Sequence, residues 1–158
     1  MLDAHVIPAQ AGRVNEPARV ATPPAKPLLV YDGDCRFCTL WIKRWQQTTG
    51  NRVDYLPFQD ASVSERFPEI PRRQFEQAVQ LIEPDGLVHG GAKAALRALA
   101  KNPAWQWPLR GYERSPLFAR VAECSYRFVA EHRAFFSVFT RIAYGSHVEQ
   151  PSHFLVRW

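Results

Sequence analysis

A chain of 158 residues, 46% hydrophobic and 22% charged, has the size and mix of one globular domain with a sizeable core, which argues against a two-domain enzyme. Its net charge of +5 is spread along the chain with acids between the bases, so the concentrated basic stripe of a nucleic-acid binder is not seen and no nucleic-acid partner is expected. No apolar run reaches the roughly 18 uncharged residues of a membrane span, and three cysteines are too few and too uneven for a disulfide framework.

Met1-Leu2-Asp3 opens without the basic and apolar regions of a secretory signal. The expectation is a soluble protein of a reducing, cytoplasmic compartment, without stable membrane insertion. Residues 1–27 combine Pro8, Pro17, Pro23, Pro24 and Pro27 with many alanines and few large apolar groups. Such a segment buries too little surface to offset its ordering entropy and reads as a flexible tail.

Leu28-Leu29-Val30-Tyr31 is a short apolar run between Pro27 and Asp32-Gly33-Asp34, the pattern of a buried strand ending in a turn. Asp34 is a good N-cap residue, and beyond it Leu40, Trp41, Ile42 and Trp45 recur at helical spacing until Thr48, Thr49 and Gly50 stop the pattern. Residues 53–58 give a second strand. The polar stretch 60–77, with Pro68 and Pro71, predicts one or two short helices. Residues 78–83 and 87–89 flank Pro84-Asp85-Gly86 and read as a β-hairpin, after which Gly90-Gly91 leads into an alanine-rich helix over 92–101. The order is β-α-β-α-β-β-α.

Residues 102–115 carry Pro103, Trp105, Trp107, Pro108 and Gly111 and read as a rigid aromatic connection without regular structure. Two more helices are predicted beyond it. Leu117, Phe118, Val121, Cys124, Phe128 and Val129 form one apolar stripe, and Phe135, Phe136, Val138, Phe139 and Ile142 form another. Their expected job is to cover the second face of the sheet, with Cys124 as a small buried hydrophobe. The expected organisation is a tail over 1–27, one α/β domain with a helical extension over 28–145, and a second tail over 146–158.

Tyr31-Asp32-Gly33-Asp34-Cys35-Arg36-Phe37-Cys38 stands between the first strand and the first helix, where a Cys-x-x-Cys pair has a chemical use. Unpaired N–H groups and a partial positive charge of roughly half an electron at a helix N-terminus stabilise a thiolate. Cys35 then reads as the nucleophile, and Cys38, one turn deeper, as the thiol that resolves a mixed disulfide. Arg36 adds favourable charge near Cys35, whereas Asp32 and Asp34 oppose it, and one of these carboxylates is a candidate proton acceptor for the buried thiol. Phe37 and Trp41 are candidates for shaping the site, although Trp41 and Trp45 also suit a cover over the sheet. His89 reads as structural, with an approach to the site from the strand end as the alternative.

Two other classes use the same residues. The cysteines suit half of a zinc site or an inert structural pair in a non-enzymatic module, but Cys124 is the only other cysteine and no His-x-x-x-His pair exists. Asp32-Gly33-Asp34 at a strand end also resembles the nucleophile loop of haloacid-dehalogenase-like, Mg²⁺-dependent phosphotransferases. In that family a small hydroxyl residue comes soon after the second aspartate; here Cys35, Arg36 and Phe37 follow.

The Tyr-Asp-Gly-Asp-Cys-x-x-Cys segment is joined by the Leu56-Pro57-Phe58-Gln59 strand end, by a hairpin followed by Gly-Gly-Ala-x-Ala-Ala-Leu, and by Tyr126-Arg127-Phe128-Val129-Ala130. Together these resemble the DCC family of predicted thiol-disulfide oxidoreductases, over residues 28–144. The resemblance implies a thioredoxin-like core, Cys35 and Cys38 as the redox pair, and Asp32 and Asp34 as the acidic residues of the motif. It implies a protein-disulfide reductase type of activity with no metal or other cofactor. The partners it implies are a disulfide-containing substrate, protein or small thiol, and an external thiol electron donor. Thioredoxins place a proline ahead of the third core strand, where this chain has Gln74, Phe75, Glu76 and Gln77.

Overall fold

Four short runs, Leu28–Tyr31 (β1), Asp54–Pro57 (β2), Gln80–Ile82 (β3) and Val88–Gly90 (β4), pair into one mixed sheet in the computed structural model, which describes residues 18–132. The spatial order is β2-β1-β3-β4. β1 runs parallel to β2, with Tyr31 opposite Pro57, and antiparallel to β3, with Leu28 opposite Ile82. A parallel pair requires a crossover, and the helix Arg36–Thr49 (α1) supplies it. Two short helices, Ala61–Arg66 (α2) and Arg72–Gln77 (α3), join β2 to β3, and Gly91–Leu99 (α4) follows β4. The β-α-β-α-β-β-α order expected of a thioredoxin-like core is borne out, with its second helical step split in two.

β1 is central and covered on both faces, which is why its sequence is continuously apolar rather than alternating. Leu28 and Val30 meet Val63, Phe67, Ile70 and Phe75 around α2 and α3. On the opposite face Leu29 and Leu81 pack with Ile42 of α1 and with Ala94 and Ala98 of α4, whose small side chains let that helix lie close to the sheet. The described part of the expected 1–27 tail contributes to the first of these layers through Val20. Val20 is 7% exposed, its N–H donates to the Gly86 carbonyl, and Ala18 accepts from Val88 N–H. Gly86 itself has φ of 84°, and a Cβ there would stand 3.0 Å from the Val20 carbonyl oxygen.

The expectation of an irregular 102–115 connection is corrected. Pro103–Trp105 forms a 3-10 turn capped by the Asn102 side chain, and Gln106–Arg114 forms a helix (α5). Pro108 sits in the first turn of α5, where an N–H has no intrahelical partner to lose, so proline is tolerated there. The Gly111 backbone is approached by the Phe118 ring, with 3.7 Å from its nearest atom to where a Cβ would stand.

The helix Pro116–Glu131 (α6) exists as expected but is turned differently from the predicted stripe. Leu117, Val121, Cys124 and Phe128 are exposed, whereas Ala119, Ala122, Glu123, Tyr126, Val129 and Ala130 are half-buried. Cys124 is therefore not a buried hydrophobe. Nor does α6 cover the second face of the sheet: α2 and α3 do that, and α6 packs on α4 and α5. The stripe over 135–142 lies outside the described residues. Among those residues no helix is long and apolar enough to cross a membrane.

Polar contacts set the phase of α6. Glu123 accepts the Ala92 and Lys93 N–H groups at the start of α4 and the Tyr112 hydroxyl at 2.7 Å. Burial, that hydrogen bond and the carboxylate's charge push the Tyr112 phenol up to about 12. The folded protein thus holds this proton more tightly than the unfolded chain does. Its contribution is complete below the ordinary phenol value of 10.0 and is lost as pH rises through about 12. Tyr31 and Tyr55, raised by burial, act with the same sign. Denaturant titrations across this alkaline window are expected to show falling stability, with a shallower slope in Tyr112→Phe; equal slopes would contradict the assignment.

Candidate active site

The β1 strand delivers the chain to the carboxyl edge of the sheet, where Asp32-Gly33-Asp34 turns it into α1. Cys35, not the expected Asp34, is the N-cap of α1, and its Sγ accepts the Cys38 N–H at 3.2 Å. Asp34 is displaced from that role by an Asx turn: its N–H donates to Asp32 Oδ1 at 3.1 Å, which holds it one residue outside the helix. Cys35 and Cys38 lie with Cα atoms 5.2 Å apart and their sulfurs at bonding distance, so the pair closes a disulfide. Both are partly buried at the first turn of a 14-residue helix, where the unpaired N–H groups and the helix dipole favour negative charge on Cys35.

A residue not singled out among the site candidates organises this loop. Gln59 Nε2 donates to Asp32 Oδ1 at 2.8 Å and to Asp34 Oδ2 at 3.1 Å, while its Oε1 accepts the Gly33 N–H at 3.0 Å. One amide thus ties both carboxylates and the backbone between them. The parallel register puts it there, since Phe58 N–H donates to Tyr31 O and the chain leaves β2 beside the β1 loop. Gly33 is needed for the approach: a Cβ would stand 2.8 Å from Pro57 Cβ and 3.1 Å from Gln59 Oε1. Gln59→Leu is expected to lower stability by about 1 kcal/mol, because the exposed groups regain water, and to abolish hydrogen-exchange protection at the Gly33 amide. Retained protection would show that the loop holds without the amide.

The other sequence candidates divide. Phe37 and Trp41 meet edge to face with centroids 6.1 Å apart, and both line an apolar cavity of about 440 Å³ that also touches Cys38 and Asp32. Trp41 remains 39% exposed, with the Arg44 guanidinium 5.4 Å from its ring centroid. Trp45 lines the same cavity and packs on the sheet, so the two readings of these tryptophans are compatible. Arg36 is exposed and lies outside the cavity lining. His89 is buried on β4, two strands from β1 and also outside that lining, and burial with the nearby Arg97 and Lys93 charges holds its pKa down.

The sequence model of the DCC1-like thiol-disulfide oxidoreductases matches residues 29–138. The chain belongs to that family. Comparisons with curated proteins and with solved structures found no match. In this DCC1-like chain the match spans the sheet, the cysteine pair, α5 and α6. Among the described residues no three His, Cys, Asp or Glu side chains form a group able to hold a metal, and Cys124 lies on an exposed face of α6.

Proposed function

We propose that the protein is a protein-disulfide reductase working by thiol-disulfide exchange through Cys35 and Cys38. The observation that carries the reading is the placement of Cys35 as the N-cap of α1 with Cys38 within bonding reach. In the reduced form the Cys35 thiolate attacks a substrate disulfide, forming a Cys35–substrate bond and expelling one substrate thiolate. Cys38 then gives up its proton and attacks Cys35 Sγ. The Cys35–Cys38 disulfide forms, the second substrate thiol leaves, and two electrons have passed from the dithiol to the substrate. Asp32 lines the same cavity as Cys38, which supports it as the carboxylate that takes that proton. Asp34 acts through the Gln59 tie, which fixes the loop that leads into Cys35. An external thiol donor restores the dithiol, which suits a reducing, cytoplasmic setting.

Equilibration in graded dithiothreitol or glutathione buffers, with free thiols trapped for mass spectrometry, tests the reading. A transition confined to Cys35 and Cys38, with the roughly 30 mV per decade of a two-electron couple, is expected. Cys35→Ser is expected to lose disulfide reduction; a Cys35→Ser protein working at the wild-type rate rejects the proposal.

A further inference from the structure

We propose that the cavity beside Cys38 sets specificity by seating a bulky apolar side chain next to the reacting cystine of a peptide substrate, with α6 as one wall. This inference rests on the thiol-disulfide reading above. The cavity, about 440 Å³, falls within the range of small-ligand pockets and adjoins the cysteine pair through Cys38 and Phe37. Trp41 and Trp45 of α1 form one side, and Tyr126, Val129 and Ala130 of α6 form another.

Charge and backbone pairing narrow the occupant. Among the described residues the lining holds one carboxylate, Asp32, and no basic side chain. An anionic thiol such as glutathione finds no counter-charge there and meets a like charge, whereas an apolar flank loses little on entering. The third wall is the segment ahead of β3, where the peptide groups of Ala78 and Val79 are already engaged. Val79 N–H donates to the Tyr126 hydroxyl at 3.1 Å, Val79 O accepts from Gly91 N–H, and Ala78 N–H donates to Gln74 O. At these positions a substrate gains nothing by main-chain pairing, so recognition falls to side-chain burial, and α6 both fills the backbone donor and supplies the apolar surface.

The test uses the full chain carrying Cys38→Ser and Cys124→Ser, so that an adduct on Cys35 persists and the exposed Cys124 does not compete. Three probes are compared: the symmetrical disulfides of a capped Cys-Trp and a capped Cys-Ser dipeptide, and glutathione disulfide. Mass spectrometry follows the rate of adduct formation on Cys35. The Trp-flanked probe is expected to react roughly tenfold or more faster than the other two, the scale set by burying one aromatic side chain. Ala130→Trp, which fills the cavity from α6, is expected to bring that ratio towards one; Trp41→Ala serves if the filled variant does not fold. A ratio near one in the parent, or one that survives these substitutions, overturns the inference and leaves the cysteine chemistry standing. No adduct from any probe rejects the thiol-disulfide reading itself.

Discussion

Cys38→Ser is expected to stop catalytic turnover while leaving Cys35 able to form a mixed disulfide that persists. A serine hydroxyl at the third position of α1 cannot displace a thiol from Cys35, so each molecule halts after one attack. With an excess of disulfide and limiting dithiothreitol, the observed rate is expected to fall towards that of the reductant alone, while peptide mapping after exposure to the disulfide with no added thiol finds substrate on Cys35. Folding does not confound the comparison. The Cys35 cap receives its hydrogen bond from the Cys38 backbone N–H, which the serine variant keeps. In Cys35→Ser a hydroxyl, itself a preferred N-cap, takes over the same role. Both helices start intact, and the two variants differ in chemistry: one accumulates adduct and the other forms none at that position. Wild-type turnover by Cys38→Ser would show that an outside thiol resolves the intermediate, and the second cysteine would need another explanation.

The parts of the site that are contiguous in the chain were legible in the sequence. An apolar run, a turn of two aspartates and a Cys-x-x-Cys pair follow one another, and each announces its own local structure. The helix starts one residue later than Asp34 as cap predicts, because Asp34 and Cys35 are both able to cap and the Asx turn that decides between them depends on Asp32. Gln59 stood in a strand end that contributed to the family resemblance, yet its role needs the register of β1 against β2, with Tyr31 opposite Pro57. That register is a pairing of two strands separated by a whole helix, and no local pattern states it.

The same distinction between local and distant causes runs through the fold. Strands and helices up to α4 follow from periodicity and turn residues, and they were found within a few residues of their ends. The 102–115 segment reads as irregular because its prolines and glycine are breakers in isolation, although Pro108 falls in a first helical turn where it does no harm. α6 is turned away from the stripe its periodicity predicts because periodicity weighs only apolar residues. Its inward face is held by Glu123, which serves the unpaired N–H groups of α4, and by Tyr126, which serves Val79. Backbone donors needing partners outweighed the burial of Leu117, Val121 and Phe128.

Gly91→Ala is expected to destabilise the protein by about 1.5–4 kcal/mol, since it strikes that same α4–α6 junction from two directions. Gly91 has φ of 64°, a conformation that costs an L-residue roughly 1–2 kcal/mol. Its Cβ would also stand 2.9 Å from Glu123 Oε2. Moving that carboxylate weakens its bonds to Ala92, Lys93 and Tyr112, and losing such a helix cap costs a further ~0.5–2 kcal/mol. In a chain of this length the sum lowers Tm by roughly 10 °C. The Glu123→Ala background separates the two causes. The share of the Gly91→Ala cost in thermal melts that disappears when Glu123 is first replaced by alanine measures the Glu123 contact, and the backbone cost remains. An unchanged cost in that background would mean that Glu123 does not hold α6 in place. If the coupling is found, loosening α6 also moves the wall that carries Tyr126 and Val129, so Gly91→Ala is expected to blunt discrimination among disulfides while the Cys35–Cys38 bond, held at the start of α1, still forms.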